Sequence, residues 1–291
     1  MASVASELPG FQAKLAFTRR KFHAWWEGYA FDAAAERAAI LARFPGAADL
    51  GARPVDEIVP EIIWGEGRQE PGAPVWTMRF ARMLSLPVRA HVIVFGAGGG
   101  APLNDLKHGT RWKVSGLTRY DNYSHGELRS YDNALQKLHK ASTAGALSFF
   151  ELHRDPDPVA FTRLAAELLL PGAKAVFVDF TVARKGARLR SCFPAFKYGA
   201  PRNHGEYETI LRDGGFTMTD YGDETGFFMP LIAEGWAGWR QAYEAISNIE
   251  NMRIRVDLMR GLAAHAHLWA ERFDALRSGQ LQVTRFQVTR N

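Results

Sequence analysis

The stretch that decides the fold is HVIVFGAGGGA, residues 91–101. An apolar run at 92–95 predicts a buried strand, and the glycines at 96 and 98–100 allow a sharp turn into a helix. The start of that helix would present unpaired N–H groups and a positive dipole at the carboxyl end of the strand. A nucleotide-type ligand could lie against this bare backbone. A turn kept only for tight packing would use the same glycines, so both interpretations stay open.

From residue 91 onward, predicted strands alternate with predicted helices, which indicates an α/β protein with a mostly parallel sheet. The predicted strands span residues 91–95, 112–118, 127–131, 146–151, 175–180, 216–221 and 281–289, and the predicted helices lie at 158–170, 207–212 and, as two segments, within 232–277. Residues 11–44 predict two further helices, of which one carries an aromatic surface. Residues 45–74 are rich in proline and glycine and predict a long loop with at most a short helix.

Two ligand classes use a glycine turn of this kind. Gly96, Gly98 and Ala101 meet the G-x-G-x-x-A spacing for a nicotinamide or flavin dinucleotide. Such sites expect an acidic residue about 20 positions later, to hold the ribose. Here the next strand ends with Thr118 and Arg119 instead, and Arg119 could meet a 2′-phosphate. An NAD(P)-dependent oxidoreductase therefore remains an alternative function.

Composition narrows the class of protein. A single cysteine, Cys192, cannot form an intrachain disulfide, and no apolar stretch predicts a leader or a transmembrane segment, so the expected location is the cytoplasm. The net charge is +5, but the basic residues are scattered and no basic-aromatic module appears, so nucleic-acid binding is not expected. No pattern of histidine, cysteine and acidic residues has metal-ligand spacing, so no metal is predicted.

Several motifs, taken in order, resemble those of the class I S-adenosylmethionine-dependent methyltransferases. Gly96, Gly98 and Gly100 form the G-x-G-x-G of the first motif. The stretch 114–118 resembles the second strand of the cyclopropane-fatty-acid-synthase-like and sterol-methyltransferase-like branch. The later landmarks are Tyr131-Asp132-Asn133 at the acidic motif, 146–154 at the fourth strand, 170–179 at the fifth strand and 211–216 at the step into the sixth. The resemblance covers roughly residues 85 to 290.

This resemblance implies a Rossmann-like, seven-stranded, mostly parallel sheet with an antiparallel last strand. The expected organisation is an N-terminal helical lid over residues 1–84 and a methyltransferase domain over 85–291, with a helical insertion at 225–279 before the last strand. The expected cofactor is S-adenosyl-L-methionine. The residues expected to bind it are Gly96, Ala97, Gly98, Gly100, Thr118, Asn122 and Asp132. Val94 and Thr118 stand where the family usually has acidic residues, so an inactive, methyltransferase-like binding protein is a further alternative.

Catalytic candidates follow the predicted fourth strand. Glu151 or His153 could take a proton from the methyl acceptor, and Arg154 could hold an acidic group of that acceptor. Alternatively, Glu151 caps a helix and His153 packs against the lid. Further acceptor contacts are expected from Trp64, Tyr207 and Trp236, although such aromatic residues are also typical of a core. The predicted function is methyl transfer to a small-molecule or lipid-like acceptor, and the N-terminal aromatic surface could equally be a homodimer contact.

Overall fold

The structure is a computed structural model that describes residues 53–120, 127–131, 139–183, 189, 192–193 and 199–291. The two predicted N-terminal helices and two predicted cofactor residues, Asn122 and Asp132, lie outside the described residues. The division of the chain after residue 84 therefore stays a prediction.

A seven-stranded sheet forms the centre of the described part of the chain, in the order β3-β2-β1-β4-β5-β7-β6. Its strands are β1 (His91–Phe95), β2 (Lys113–Thr118), β3 (Leu128–Ser130), β4 (Thr143–Phe149), β5 (Leu169–Val182), β6 (Phe216–Asp223) and β7 (Leu281–Arg290). β7 runs antiparallel to both β5 and β6, whereas the pairs formed by β1 to β5 are parallel. The predicted Rossmann-like sheet with an antiparallel last strand is confirmed.

The central strand β1 is covered on both faces, which explains its continuous apolar sequence. Val92 and Val94 belong to one hydrophobic cluster, while Ile93 and Phe95 belong to a second cluster on the opposite face. All four side chains are fully buried. A strand buried on two faces must sit inside the sheet, so this run fixes β1 as an interior strand.

Helices cover the sheet and extend one of the two clusters. They are α1 (Val55–Trp64), α2 (Pro74–Leu84), α3 (Ala101–Gly109), α4 (Pro158–Leu168), α5 (His204–Asp213), α6 (Thr225–Ala237), α7 (Trp239–Ser247) and α8 (Met252–Arg277). α2 packs against α3, β4 and β5, and buries Trp76, Phe80 and Leu84 in the larger cluster. α1 packs on α8, the long helix of the insertion. None of the helices in the described residues is long and apolar enough to cross a bilayer.

Three local predictions need correction. The segment 45–74, predicted as a long loop with at most a short helix, contains α1, a helix of 10 residues, which forms despite an internal Pro60 because its apolar residues bury one face against α8. The insertion holds three helices rather than two, because the helical conformation is interrupted at Gly238 and again after Ser247. β5 begins at Leu169, before the predicted turn, and the sheet absorbs that turn as an irregularity in its pairing with β4.

Candidate functional site

The strand order reverses between β1 and β4, because β2 follows on one side of β1 and β4 lies on the other. In open α/β sheets, ligands bind in the crevice at the carboxyl ends of the strands beside such a reversal. Gly96 follows β1, Arg119 follows β2 and Glu151 follows β4, so these residues meet at this crevice. A hollow lies there, lined by the glycine turn, by segments that follow β2 and β4, and by residues 67–72.

The hollow is small in this conformation. Its volume is about 40 Å³, which is room for a few water molecules. Sites that enclose a drug-sized ligand usually measure about 300–1,000 Å³. Gly96, Ala97, Gly98, Thr118, Glu151 and Arg154 are the predicted site residues that line it. A nucleoside-sized ligand would therefore need part of the surrounding wall to move.

The glycines of the turn are required by contacts within the chain itself. Gly96 and Gly98 both have positive φ, 71° and 56°. A Cβ at Gly96 would lie 2.3 Å from the Phe149 carbonyl oxygen and 2.9 Å from Cγ of Glu151. A Cβ at Gly98 would lie 3.0 Å from the Gly67 carbonyl oxygen. The turn thus packs tightly between the end of β4 and the segment that follows α1.

That segment, residues 65–72, is here named the cover loop. The Gly67 carbonyl oxygen accepts hydrogen bonds from the backbone N–H groups of Gly99 (2.9 Å) and Ala101 (3.3 Å) at the start of α3. Arg68 pairs with Asp105 on the same helix at 2.7 Å. Two donors that a ligand would use at this helix N-terminus are therefore satisfied by the protein.

A cluster of charged side chains from the segments after β2 and β4 also lies at the carboxyl end of β1. Nε of Arg119 donates to Oε2 of Glu151 at 2.6 Å, and Nη2 of Arg119 donates to Asp155 at 3.0 Å. The Tyr131 hydroxyl also donates to Glu151, at 3.2 Å. Because β2 and β4 flank β1, the Arg119–Glu151 bridge lies across the carboxyl end of β1. Oε2 of Glu151 thus accepts hydrogen bonds from two donors, so the structure gives less support to the prediction that Glu151 takes a proton from the methyl acceptor.

Electrostatics keep Arg119 and Tyr131 each in one protonation state. Burial lowers the pKa of Arg119, but the negative charge of Glu151 and the hydrogen bonds to Asp155 and Glu151 raise it above its usual range. Burial, reinforced by the negative charge of Glu151, raises the pKa of Tyr131 well above its usual value. Arg119 therefore stays charged and Tyr131 stays a neutral donor at any physiological pH.

His153 and Asp179 form a buried pair between the ends of β4 and β5. Nδ1 of His153 lies 2.6 Å from Oδ1 of Asp179, and both side chains are almost completely inaccessible to solvent. Asp179 also accepts backbone hydrogen bonds from Leu152 at 2.7 Å and Phe180 at 2.7 Å. This carboxylate favours the tautomer with the proton on Nδ1, which leaves a lone pair on Nε2. Nε2 is buried and has no hydrogen-bond partner in the described part of the chain.

Burial is the largest influence on His153 and lowers its pKa. Asp179 opposes this shift, whereas the positive charges of Arg154 and Arg272 reinforce it. The imidazole is therefore neutral near pH 7 and able to accept a proton at Nε2. An unpartnered nitrogen buried in the interior costs free energy, which marks Nε2 as a group without a structural role.

Two arginines beside His153 converge on the cover loop. Nη2 of Arg154 forms a hydrogen-bonded ion pair with Oε1 of Glu70, and Nη1 of Arg272 lies 3.6 Å from Oε2 of the same carboxylate. Arg272 comes from α8 and is 1% exposed. Its guanidinium lies over the rings of Phe193 and Trp269, at 4.7 Å from each centroid. The cover loop, the end of β4 and the insertion therefore meet at one carboxylate.

Other predicted site residues lie away from the hollow. Trp64 packs against Trp236 and Trp269, with centroids 5.8 and 5.2 Å away, and donates to His265. Tyr207 is fully buried in the second hydrophobic cluster. These placements give the predicted substrate contacts of Trp64, Trp236 and Tyr207 no support.

Gly100 also lies outside the lining of the hollow, as the N-cap of α3 with a φ of 102°. No group of three or more histidine, cysteine and acidic side chains in the described residues could hold a metal ion.

Several residues at the site were not predicted from sequence. Glu70 and Arg272 carry no local signal, because each is one charged residue among many on a loop or a long helix. Asp179 did carry a signal, since it interrupts an otherwise apolar strand at its carboxyl end.

Comparison with known proteins shows similarity in structure only. No protein-family model matches the sequence, and no curated protein is similar to it in sequence. Phosphoethanolamine N-methyltransferase 2 of Haemonchus contortus, in complex with S-adenosyl-L-methionine, matches with a TM-score of 0.65 at 14% identity. The match covers 84% of this chain and 60% of that one, so this chain spans about three fifths of that enzyme. The same enzyme was also solved with phosphomonomethylethanolamine and S-adenosylhomocysteine.

Two further solved structures have a similar fold and different reactions. A cyclopropane synthase of Mycobacterium tuberculosis matches with a TM-score of 0.59 at 15% identity, over 85% of this chain and 99% of that one. The [4+2]-cyclase SpnF matches with a TM-score of 0.56 at 16% identity, over 77% of this chain and 85% of that one. The chain therefore has the fold of the class I S-adenosylmethionine-dependent methyltransferases. Because a cyclase has the same fold, the fold alone does not decide the reaction.

Proposed function

We propose that this chain is an S-adenosylmethionine-dependent methyltransferase that acts on a small-molecule or lipid-like acceptor. The observation that carries the proposal is the buried, unpartnered Nε2 of His153, a residue that follows β4 at the same edge of the sheet as the glycine turn but does not line the hollow itself. Structures of this fold were solved with S-adenosylmethionine or S-adenosylhomocysteine, which supports the choice of methyl donor.

The backbone of the glycine turn, together with Thr118 at the end of β2, would hold the cofactor. Polar groups at the ends of β1 and β2 suit the ribose and the amino-acid part of such a ligand. The space fits only after a rearrangement, because the cover loop and the Arg119–Glu151 bridge now enclose about 40 Å³. The mechanism therefore includes a step in which the cover loop lifts from α3.

When bound, S-adenosylmethionine supplies an electrophilic methyl group. His153 then accepts the proton that the acceptor atom loses as it is methylated, and the proton arrives at Nε2. Asp179 holds Nδ1–H at 2.6 Å, which orients the ring and stabilises the imidazolium that forms. The aromatic side chains around His153 exclude water that would otherwise compete with the acceptor.

A second candidate is a methyltransferase-like protein that binds no S-adenosylmethionine. The specific observation in its favour is the small volume of the hollow, beside which Gly67 already satisfies two donors of α3. The oxidoreductase alternative has less support. Its common strand order continues 3-2-1-4-5-6, whereas here the antiparallel β7 lies between β5 and β6. Arg119, its candidate for a 2′-phosphate, is paired with Glu151 and Asp155.

Ligand-dependent thermal stability separates these functions. A ligand that binds only the folded state raises the free energy of unfolding, by about 2.7 kcal/mol when its concentration is 100 times its Kd, and so raises the melting temperature. We expect S-adenosylhomocysteine to raise the melting temperature, and NAD and NADP to leave it unchanged. A response to the pyridine nucleotides alone would favour the oxidoreductase, and no response to any of these ligands would favour the inactive relative.

Turnover is then measured as S-adenosylhomocysteine release with a panel of amine, hydroxyl and phospho-base acceptors. His153→Asn keeps a donor for Asp179 but lacks Nε2. We expect it to bind S-adenosylhomocysteine like the wild type and to lose about 10²–10⁴-fold in turnover, the usual contribution of a positioned base. His91→Asn is the matched control, because His91 lies at the opposite end of β1 and contacts Ser115. Equal losses in both variants would refute the role of His153.

A further inference from the structure

A carboxylate of the cover loop lies where two buried guanidinium groups converge. Arg154 and Arg272 come from different elements, the turn after β4 and helix α8, and both face Glu70. Their side chains are 11% and 1% exposed. Arginine pairs of this kind are suited to carboxylate and phosphate groups, because each guanidinium presents planar N–H donors.

We propose that Arg154 and Arg272 form an anion site for an acidic group of the methyl acceptor, and that Glu70 occupies this site until the acceptor binds. This inference rests on the proposed methyl transfer, whose acceptor it assigns to the class of carboxylates and phosphate esters.

The fit between Glu70 and the two arginines is uneven. Oε1 of Glu70 is hydrogen-bonded to Arg154, but Oε2 forms no hydrogen bond and lies 3.6 Å from Arg272. A carboxylate built for this pair would engage both guanidinium groups at about 2.7–2.9 Å. Both arginines also have other interactions, so the site is held in place by more than Glu70. A free anion could keep the hydrogen bond to Arg154 and approach Arg272 more closely than Glu70 does.

Arg272 is oriented before any ligand arrives. Its guanidinium lies over Phe193 and Trp269, and Nε donates to the Cys192 carbonyl oxygen at 3.1 Å. These contacts fix the plane of the guanidinium, which reduces the entropy lost on binding an anion. A buried arginine held in this way is a costly feature for stability alone.

The position of the anion site matches the proposed chemistry. Arg154 follows His153 in the chain, and the charges of Arg154 and Arg272 both act on the His153 ring. Arg272 also lies over Phe193, whose ring contacts the His153 ring, so an acceptor anchored by its acidic group would lie close to His153. Arg154 and Glu70 also line the hollow at the glycine turn, so anion and cofactor would occupy adjoining space. Displacement of Glu70 would release one attachment of the cover loop.

The test removes the internal competitor in the full-length chain. Binding of inorganic phosphate and of acetate is measured by calorimetry at constant ionic strength in the wild type and in Glu70→Gln. We expect Glu70→Gln to bind at least one of these anions about tenfold more tightly, since a charge-assisted hydrogen bond no longer competes. Tighter binding of phosphate assigns a phosphate ester, and tighter binding of acetate assigns a carboxylate. Equal affinities of the two proteins for both anions would overturn the proposal.

Two further variants control for nonspecific effects. Glu70→Gln/Arg154→Gln should return to wild-type affinity or weaker, whereas Arg260→Gln, which removes an arginine that is 79% exposed, should change nothing. A gain that survives the double substitution would overturn the site. If Glu70→Gln does not fold, Glu70→Asp is used instead. Its side chain is one methylene shorter, which moves the carboxylate away from the arginines, so it should also bind the anion more tightly than the wild type.

Titration of S-adenosylhomocysteine into the same proteins separates this proposal from the proposed function. Binding of S-adenosylhomocysteine with no anion response would overturn the anion site and leave the methyl donor in place. An anion response in a chain that binds no S-adenosylhomocysteine would overturn the assignment of the anion to a methyl acceptor.

Discussion

The close approach at Gly96 predicts a large loss of stability in Gly96→Ala, and Gly172 provides a matched control. The two glycines have almost the same φ, 71° and 73°, but a Cβ at Gly172 would meet nothing within 4 Å. Gly172→Ala therefore carries only the cost of a left-handed backbone, about 1–2 kcal/mol. Gly96→Ala carries the same cost together with a steric conflict at the end of β4.

That conflict sets the difference between the two variants. A Cβ at Gly96 would lie 2.3 Å from the Phe149 carbonyl oxygen, while ordinary contact begins near 3.4 Å, so the backbone must shift by about 1 Å. It would also press on Cγ of Glu151 and disturb the bridge to Arg119. Overpacking of this kind typically costs about 1–3 kcal/mol, which brings the total for Gly96→Ala to about 2–5 kcal/mol.

Urea denaturation, followed by circular dichroism, measures the free energy of unfolding of both variants and the wild type. We expect Gly96→Ala to lose about 2 kcal/mol more than Gly172→Ala. If the two losses agree within about 0.5 kcal/mol, the contact between the glycine turn and β4 is not as close as described, and the packing argument fails. A change in m-value would instead indicate an altered denatured or native state, so the comparison uses variants with wild-type m-values.

Two further predictions concern the site. Burial lowers the pKa of His153; the charges of Arg154 and Arg272 lower it further, and Asp179 only partly opposes the shift. Below about pH 6.5 the unfolded chain therefore binds a proton at this histidine more readily than the folded chain does. The stability of the wild type should therefore fall relative to His153→Asn as the pH is lowered from 7 to 5, measured by urea denaturation; parallel curves would contradict the assignment. Arg68→Gln breaks the pair with Asp105 that fastens the cover loop. It should accelerate S-adenosylhomocysteine association in stopped-flow measurements, and an unchanged rate constant would show that this loop does not limit access.

The strands of the sheet were predictable because their signals are local. Val92–Phe95 is apolar at every position, as expected for a strand covered on both faces, and the structure places β1 at 91–95 as predicted. The extent of helix α1 was underestimated, since the prolines and glycines of 45–74 suggested a long loop with at most a short helix. Pro54 only precedes the helix, and Pro60 is tolerated because packing against α8 outweighs one lost backbone hydrogen bond.

The contacts of the candidate site were less predictable, because they join residues far apart in the chain. The pairing of Arg119 with Glu151 depends on strand order, since it requires β2 and β4 to flank β1. The contact of Glu70 with Arg272 joins the cover loop and the insertion, and no spacing within either segment encodes it. Sequence could identify His153 as a candidate base, but the selection of Asp179 as its partner needed the register of β4 and β5.

The glycine turn shows why a motif and a ligand site are separate inferences. Gly96 is required by the Phe149 carbonyl oxygen and Gly98 by the cover loop, while Gly100 meets nothing closer than 3.5 Å and is required for its φ of 102°. All three glycines are thus explained by the conformation of the chain, whether or not a nucleoside binds. A ligand is indicated instead by a group that folding leaves without a partner, the buried Nε2 of His153. A substitution that tests function must therefore alter that nitrogen rather than the glycines, whose replacement would reduce stability in an enzyme and in an inactive relative alike.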